Sequence, residues 1–195
     1  YVTKWNTLDV DPLSFASSEG NPDKIVALAV NNRDLWIFNE RSIEIWSNTG
    51  NADFPFERVS GGYIEKGCLA PASVAKIEGS LFWLGRDDSG QGVVYAANGL
   101  VPQRISTHAI EEKIASYVFE SSVETINAPI NATAYTYQKD GHSFYVLNFN
   151  EATWVYDLTT KLWHERAYTN EGELTRQRAN ACVFDPRYSI HIVGD

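Results

Sequence analysis

Short runs of apolar and aromatic residues recur along the chain between turn-forming segments. The first three runs, residues 24–30, 34–38 and 42–46, are separated by polar segments at residues 31–33 and 39–41. Runs of this length, bounded by Asn, Asp or Arg clusters, are typical of β-strands. We therefore predict an antiparallel meander in this part of the chain.

The same arrangement returns further along the chain. We predict strands at residues 73–77, 80–84, 93–96 and 100–105, then at 132–137, 143–148, 153–157 and 162–167, and finally at 181–184 and 189–193. When the second strands of the units are aligned at Leu35, Leu81, Phe144 and Ile190, they lie 46, 63 and 46 residues apart. A recurrence near 46 residues is typical of four-stranded propeller blades, which cannot bury both faces alone.

The predicted fold class is therefore all-β: a β-propeller, or a propeller fragment, of four-stranded antiparallel blades with one inserted helix. Residues 1–195 contain about 3.5 blades, which we place at 24–62, 63–106, 131–168 and 179–195. The chain starts at Tyr1 and has no Met, so we expect it to be part of a larger protein. Alternatively, a strand at residues 1–8 completes the last blade, and the sequence leaves both possibilities open.

The longer 63-residue interval contains a helical pattern. Ile110, Ile114 and Val118 follow one another at intervals of four residues, within residues 107–119. Thr107 is the expected N-cap, and Glu111 and its neighbour Glu112 place negative charge in the first turn. We predict a helical insert between blades, spanning residues 107–123.

Composition narrows the function classes. The 25 acidic residues against 16 Lys and Arg residues give a net charge of -9, which disfavours binding to nucleic acid or to an anionic membrane. No apolar run is long enough to cross a membrane, and no export signal precedes the first strand. Cys68 and Cys182 are too few for a disulfide framework, so we predict two free thiols.

The residues that could carry chemistry are scattered, so we predict no catalytic, cofactor or metal site. His108, His142, His164 and His191 lie in different elements, without the spacing of a helical zinc pair. His191 is predicted to be an ordinary strand histidine that faces away from Ile190 and Ile192. The aspartate pairs Asp9/Asp11 and Asp87/Asp88 lack the further oxygen ligands of a calcium loop, so they are interpreted as turns.

Two glycine-rich segments and five aromatic residues are further candidates for a functional role. Ser60-Gly61-Gly62 and Gly90-Gln91-Gly92 lack the helix start of a phosphate-binding loop and are predicted to be hairpin turns. Five aromatic residues are candidate interface anchors, although packing between blades is the favoured interpretation. They are Trp5, Trp46, Trp154, Trp163 and Tyr168.

Several segments, taken in order, resemble a known family. The segments are Ser14-Phe15-Ala16-Ser17-Ser18-Glu19-Gly20-Asn21-Pro22-Asp23-Lys24-Ile25, Ser42-Ile43-Glu44-Ile45-Trp46, Glu65-Lys66-Gly67, Ile105-Ser106-Thr107-His108-Ala109-Ile110-Glu111, Ile114-Ala115-Ser116-Tyr117, and Val155-Tyr156-Asp157 with Trp163. They are similar to segments of the packaged-DNA stabilisation protein, the tail accessory factor of short-tailed phages. The resemblance spans residues 13–163 in order, which makes it more specific than any one motif.

The resemblance implies a structural, non-enzymatic virion protein of the phage tail. In that family, several copies, a hexamer in the best-known member, form a hub that closes the portal channel after packaging. The portal and its adaptor, the tail needle and the tailspikes are the implied partners. The implied location is the virion tail, assembled in the cytoplasm of the bacterial host, and no cofactor is implied.

Two other functions remain open at this stage. A carbohydrate-active or carbohydrate-binding propeller would gather carboxylates and a Trp at one mouth of the ring, and such carboxylates come from different blades without any local spacing. A protein-interaction propeller of the host type would carry short repeat signatures, Gly-His with Trp-Asp or a double Gly, which this sequence lacks. Fold by itself distinguishes none of these functions.

Overall fold

A computed structural model of the protein shows a chain built mainly of antiparallel β-sheets. It describes residues 2–3, 6–18, 20–51, 54–87, 90–120 and 131–195, with the backbone alone at 118–120. The described residues form three four-stranded sheets, two two-stranded hairpins and one α-helix. The predicted class of four-stranded antiparallel sheets with one helix is confirmed.

Each four-stranded sheet is a simple meander whose strands follow one another in chain order. The strands of the first sheet are β1 Ile25–Asn31, β2 Asp34–Asn39, β3 Ile43–Asn48 and β4 Phe56–Ile64. Those of the second are β5 Ala75–Ile77, β6 Ser80–Arg86, β7 Gly92–Asn98 and β8 Val101–Arg104, and those of the third are β9 Thr133–Lys139, β10 His142–Asn148, β11 Thr153–Asp157 and β12 Leu162–Glu165. The hairpins are β13 Ala167–Asn170 with β14 Glu173–Arg176, and β15 Ala181–Asp185 with β16 Ile190–Gly194.

The middle sheet is buried on both faces, which explains the unbroken apolar run in β6. Successive side chains of a strand point to opposite faces of the sheet. Leu81 and Trp83 accordingly enter an apolar cluster shared with the first sheet. Phe82 and Leu84 enter a second cluster shared with the third sheet. A strand covered on both faces shows a continuous apolar run rather than alternation.

Successive sheets also touch through their first strands. The Lys76 ammonium of β5 donates to the Val30 carbonyl of β1 at 3.4 Å. The Thr136 hydroxyl of β9 donates to the Lys76 carbonyl at 2.9 Å. The β15–β16 hairpin continues the series, since β15 contacts β9. The sheets are therefore stacked in chain order, with their first strands side by side.

The helix α1, His108–Glu120, lies between the second and third sheets in the chain. The carbonyl of Thr107 accepts the first helical hydrogen bond, from the Glu111 amide at 3.0 Å. Ile110 and Ile114 are buried in the cluster between those sheets. The predicted helix over residues 107–119 matches α1 to within one residue at each end. Residues 121–123 of the predicted insert lie outside the described residues.

Several sequence predictions need correction. Ser60-Gly61-Gly62 is not a hairpin turn but a bulge inside strand β4. The pairing register between β4 and β3 shifts there, between Glu44 and Trp46 of β3. A bulge lets the ladder continue with extra residues on one strand, and the positive φ of +74° at Gly61 accommodates it. The predicted strand at 73–77 is shorter than expected, since Pro71–Ser73 forms a 3-10 helix.

The end of the third unit also differs from the prediction. The predicted strand at 162–167 ends at Glu165, and Ala167 starts the exposed hairpin β13–β14. Sequence reasoning missed both this hairpin and the fourth strand of the first unit. Because β4 extends to Ile64, its last two residues lie beyond the predicted blade limit at residue 62. The division into blades at 24–62, 63–106, 131–168 and 179–195 stays a prediction.

The alternative closure by residues 1–8 stays a prediction, because residues 1, 4 and 5 lie outside the described residues. Thr3 forms an antiparallel bridge with Val10, and the Val2 amide donates to the Ser14 carbonyl at 3.3 Å. Among the described residues, β16 pairs with β15. The described N-terminal residues thus pair with one another.

Candidate functional site

Two of the four histidines, His142 and His164, pack against the same Phe144 ring, whereas His108 lies apart from them. His142 Nδ1 lies 2.8 Å from Asp157 Oδ2, and His108 is exposed at the start of α1. His164 stands edge-on to Phe144, and burial lowers its pKa. Within the described residues, no three His, Cys, Asp or Glu side chains come together as a metal site would require.

His191 lies opposite the third sheet. The alternation along its strand predicted that His191 would face away from Ile190 and Ile192. It is half-buried, whereas Ile190 and Ile192 are about half exposed. Its Nε2 is 2.8 Å from the Gln138 carbonyl, so Nε2 carries the proton and donates. Its Nδ1 lies 3.6 Å from the Cys182 sulfur.

Both cysteines are free thiols, as predicted. Cys68 is fully buried between the first two sheets, and burial raises its pKa to about 11. Cys182 is half-buried, and burial raises its pKa as well. A thiol whose pKa is raised in this way is a poor nucleophile at neutral pH.

Two glutamates are buried, and each is held by nearby donors. Glu44 accepts from the Gly20 amide at 2.7 Å and from Trp46 Nε1 at 3.0 Å, and pairs with Arg58 at 3.1 Å. Glu111 accepts from Ser106 Oγ at 2.6 Å and from Arg104 Nε at 2.7 Å. Their hydrogen bonds join neighbouring segments of the chain, so both are positioned as structural groups.

The predicted aspartate turns are seen where the chain is described. Asp11 Oδ1 accepts from the Leu13 amide at 2.9 Å, and Asp87 Oδ1 accepts from the Gln91 amide at 2.8 Å. Gly90 and Gln91 belong to that same turn, whereas Asp88 lies outside the described residues. A side chain that caps its own turn has fewer lone pairs for a cation.

Most of the candidate aromatic anchors pack inside the protein. Trp46 is buried, and Trp154 and Trp163 pack against the cluster between the second and third sheets. Trp163 Nε1 also donates to the Ile105 carbonyl at 2.9 Å. Tyr168 remains 44% exposed, and Trp5 is outside the described residues. The packing interpretation therefore holds for the three described tryptophans of the set.

An open groove of about 920 Å³ lies between the third sheet and the β15–β16 hairpin. Tyr137 and Phe144 form an aromatic surface, with the Arg166 guanidinium 5.4 and 5.9 Å from their ring centroids. Lys139 and Cys182 also line the groove. Sequence reasoning missed this groove, because its residues come from strands and loops that only the tertiary structure brings together.

A stack of four-stranded antiparallel sheets whose first strands lie side by side is the architecture of a β-propeller.

None of the helices in the described part of the chain combines the length and apolarity needed to cross a bilayer.

Comparison with protein families makes the assignment specific. Residues 2–195 match the family described as bacteriophage P22 Gp10, β-propeller. Because the match covers nearly the whole chain, this protein belongs to that family, whose members are phage tail components that stabilise packaged DNA. The resemblance noted in the sequence is thus confirmed, as is the β-propeller class. A search of the curated proteins finds no match to this chain.

Proposed function

We propose that this chain is a non-catalytic part of a phage tail hub that closes the portal channel and retains packaged DNA. The observation that carries the proposal is its family membership over residues 2–195. The geometry supports it, since the buried carboxylates Glu44 and Glu111 are used to join segments of the fold. A protein of this kind acts through its shape and its contacts rather than through a reaction.

The partners that follow are the portal and its adaptor above the hub, with the tail needle and tailspikes attached nearby. Several copies, as a hexamer, surround the channel. The net charge of -9 suits such a position, because an acidic lining repels DNA phosphates and leaves the exit path free of tight contacts. Replacing channel-facing acidic residues with Lys should slow DNA ejection, and an unchanged ejection rate would rule out this role for the charge.

The test is the mass of the full-length protein in solution, measured by light scattering on a sizing column, alone and with the portal–adaptor complex. Co-elution with that complex as a multimer is the expected result. The control is an unrelated acidic protein of similar size and charge, which should elute separately. A lone monomer that ignores the complex would refute the hub proposal, and glycan screening would then test the carbohydrate-binding alternative.

A further inference from the structure

The outer strand of the second sheet, β8, has one open edge. On its inner side it pairs with β7, and among the described residues no strand pairs with its other side. The strand is exposed or half-buried along its whole length, with Val101 65% exposed. The main-chain groups of an exposed edge strand are a template for pairing with another chain.

The pairing of β8 with β7 fixes which residues face the open edge. In an antiparallel ladder, the N–H and C=O groups of successive residues point alternately towards one neighbouring strand and away from it. The Ile105 amide donates to the Val94 carbonyl at 3.0 Å, so Ile105 faces inward. Val101, which closes the two-residue turn at the end of β7, faces inward by the same alternation. Pro102 and Arg104 therefore face the open edge.

Pro102 stands where a pairing strand needs a donor. Proline has no main-chain N–H, and a carbon of its ring takes the place of that hydrogen. A strand laid against this edge would meet the ring carbon at residue 102, and its own carbonyl opposite would lack a donor. The proline thus blocks the middle of an otherwise open edge.

The other two outer strands are protected in different ways. β4 is interrupted by the bulge at Gly61, and β12 carries the ionisable side chains of His164 and Glu165. Bulges and charged side chains are common protections of edge strands. The one charged side chain of β8 is Arg104, and its guanidinium is already paired with Glu111. Protection of the β8 edge therefore depends on the proline.

We propose that Pro102 keeps the β8 edges of two copies of this chain from pairing with each other. Two β8 strands related by a twofold axis at Gln103 would place residue 102 of each copy opposite Arg104 of the other. Main-chain hydrogen bonds would then join the copies in both directions, and proline removes those that residue 102 donates. The inference goes beyond the hub proposal, because it identifies a contact between copies that a hub of defined size has to avoid.

The test is the self-association of Pro102→Thr, measured by sedimentation velocity of the purified chain over a range of concentrations. Threonine restores the N–H and is well suited to a strand. The association constant for the pairing of copies should rise by a factor on the order of ten, since each copy gains a donated hydrogen bond. The matched control is Gln103→Thr, which introduces the same side chain at the neighbouring, inward-facing position and should sediment like the native chain.

A charged substitution and a cross-link identify the contact itself. Pro102→Lys also restores the N–H, but it places an ammonium group opposite Arg104 of the second copy, so it should associate severalfold less than Pro102→Thr. With the half-buried thiol removed by Cys182→Ser, Gln103→Cys combined with Pro102→Thr should form a disulfide-linked dimer on a non-reducing gel. The same cysteine beside the native Pro102 should give on the order of tenfold less dimer.

The proposal is overturned if Pro102→Thr associates no more than the native chain, if Gln103→Thr or Pro102→Lys associates as strongly as Pro102→Thr, or if the cross-link forms equally beside the native proline. Circular dichroism checks that each variant is folded, and Pro102→Ala takes the place of Pro102→Thr if the threonine variant is not. Because each measurement compares a variant with the native chain, without portal or adaptor, its failure is distinct from failure of the hub proposal.

Discussion

Glu111 is a carboxylate kept almost completely inside the protein, with 1% of its side chain exposed. Ser106 connects it to the second sheet, because the Ser106 hydroxyl donates to Glu111 and accepts from the Val94 amide at 3.0 Å. Arg104, at the end of β8, supplies the opposite charge. The start of the helix is therefore joined to the second sheet through one side chain.

Replacing Glu111 with Ala should lower the free energy of unfolding by about 1–3 kcal/mol, because the donors of Ser106 and Arg104 lose their acceptor. Because Arg104 is half-exposed, water can solvate its guanidinium once Glu111 is removed. The loss of stability therefore stays below that expected for a fully buried ion pair. The control is Glu112→Ala, at the exposed neighbouring position, which should change stability by less than about 0.5 kcal/mol. Urea denaturation measures both variants, and equal effects would contradict this role.

The ionisation of the Asp157 carboxyl makes the stability of the fold depend on pH in the acid range. Burial alone would raise its pKa, but hydrogen bonds from Thr160, Thr159 and His142 outweigh burial and lower the pKa from 3.8 to about 2. A carboxyl whose pKa is lower in the folded state than in the unfolded state stabilises the fold above about pH 4. That contribution is lost as the pH falls from about 4 through 2.

The expected result is that the stability advantage of the native chain over Asp157→Asn shrinks by about 2 kcal/mol between pH 5 and pH 2. Chemical denaturation at a series of pH values measures this difference. Thr169→Ser, at an exposed position of β13 where neither side chain titrates, is the control, and its difference from the native chain should stay flat. A constant difference for Asp157→Asn would show that Asp157 does not titrate as described.

At the scale of the elements, Gly67 marks the passage from the first sheet to the second. A Cβ at this position would lie 2.1 Å from the Glu40 carbonyl oxygen, in the β2–β3 turn. The next residue, Cys68, donates its amide to the Asn39 carbonyl at 2.8 Å. The Glu65-Lys66-Gly67 segment thus has a physical reason for its glycine: two backbones approach too closely for a side chain.

Gly67→Ala should therefore destabilise the fold by about 2–3 kcal/mol, since backbone rather than a flexible side chain must move. Thermal unfolding followed by circular dichroism is the measurement. Gly194→Ala in β16 is the matched control, because its new Cβ would meet only the Ala181 Cβ at 3.9 Å. A Gly67→Ala variant as stable as the Gly194→Ala variant would refute the close approach.

Across the whole molecule, burial is uneven. The central strands β6, β7 and β10 are almost entirely buried, whereas the β13–β14 hairpin is exposed along nearly all of its length. Local opening costs least where few apolar contacts must break. Stability should accordingly be concentrated in the second and third sheets.

Hydrogen exchange followed by mass spectrometry tests this distribution. Peptides from β6 and β10 should exchange at least about tenfold more slowly than peptides from β13–β14, after correction against the unfolded chain. Similar rates in both groups would mean that the hairpin is stabilised by contacts absent from the described structure.

Much of the architecture could be predicted from the sequence, because strand and helix periodicity are local properties. The run around Leu81 to Leu84 and the helical spacing of Ile110 and Ile114 identified their elements. The bulge at Ser60-Gly61-Gly62 was misread as a turn, because glycine signals a positive φ without saying whether the strand continues beyond it.

The candidate site was the least predictable part. Arg166, Tyr137 and Cys182 are far apart in sequence, and no spacing relates them. Glu44 and Glu111 likewise look like ordinary surface acids until the sheets that bury them are known.

The sequence by itself determined the strand-rich class, the recurrence of the units, the position of the helix and the family. Only the tertiary structure decided which faces are covered, which carboxylates are buried and where a groove remains open. The physical reason is that hydrogen-bonded elements follow from neighbouring residues, whereas burial and pairing depend on which surfaces meet across the whole chain.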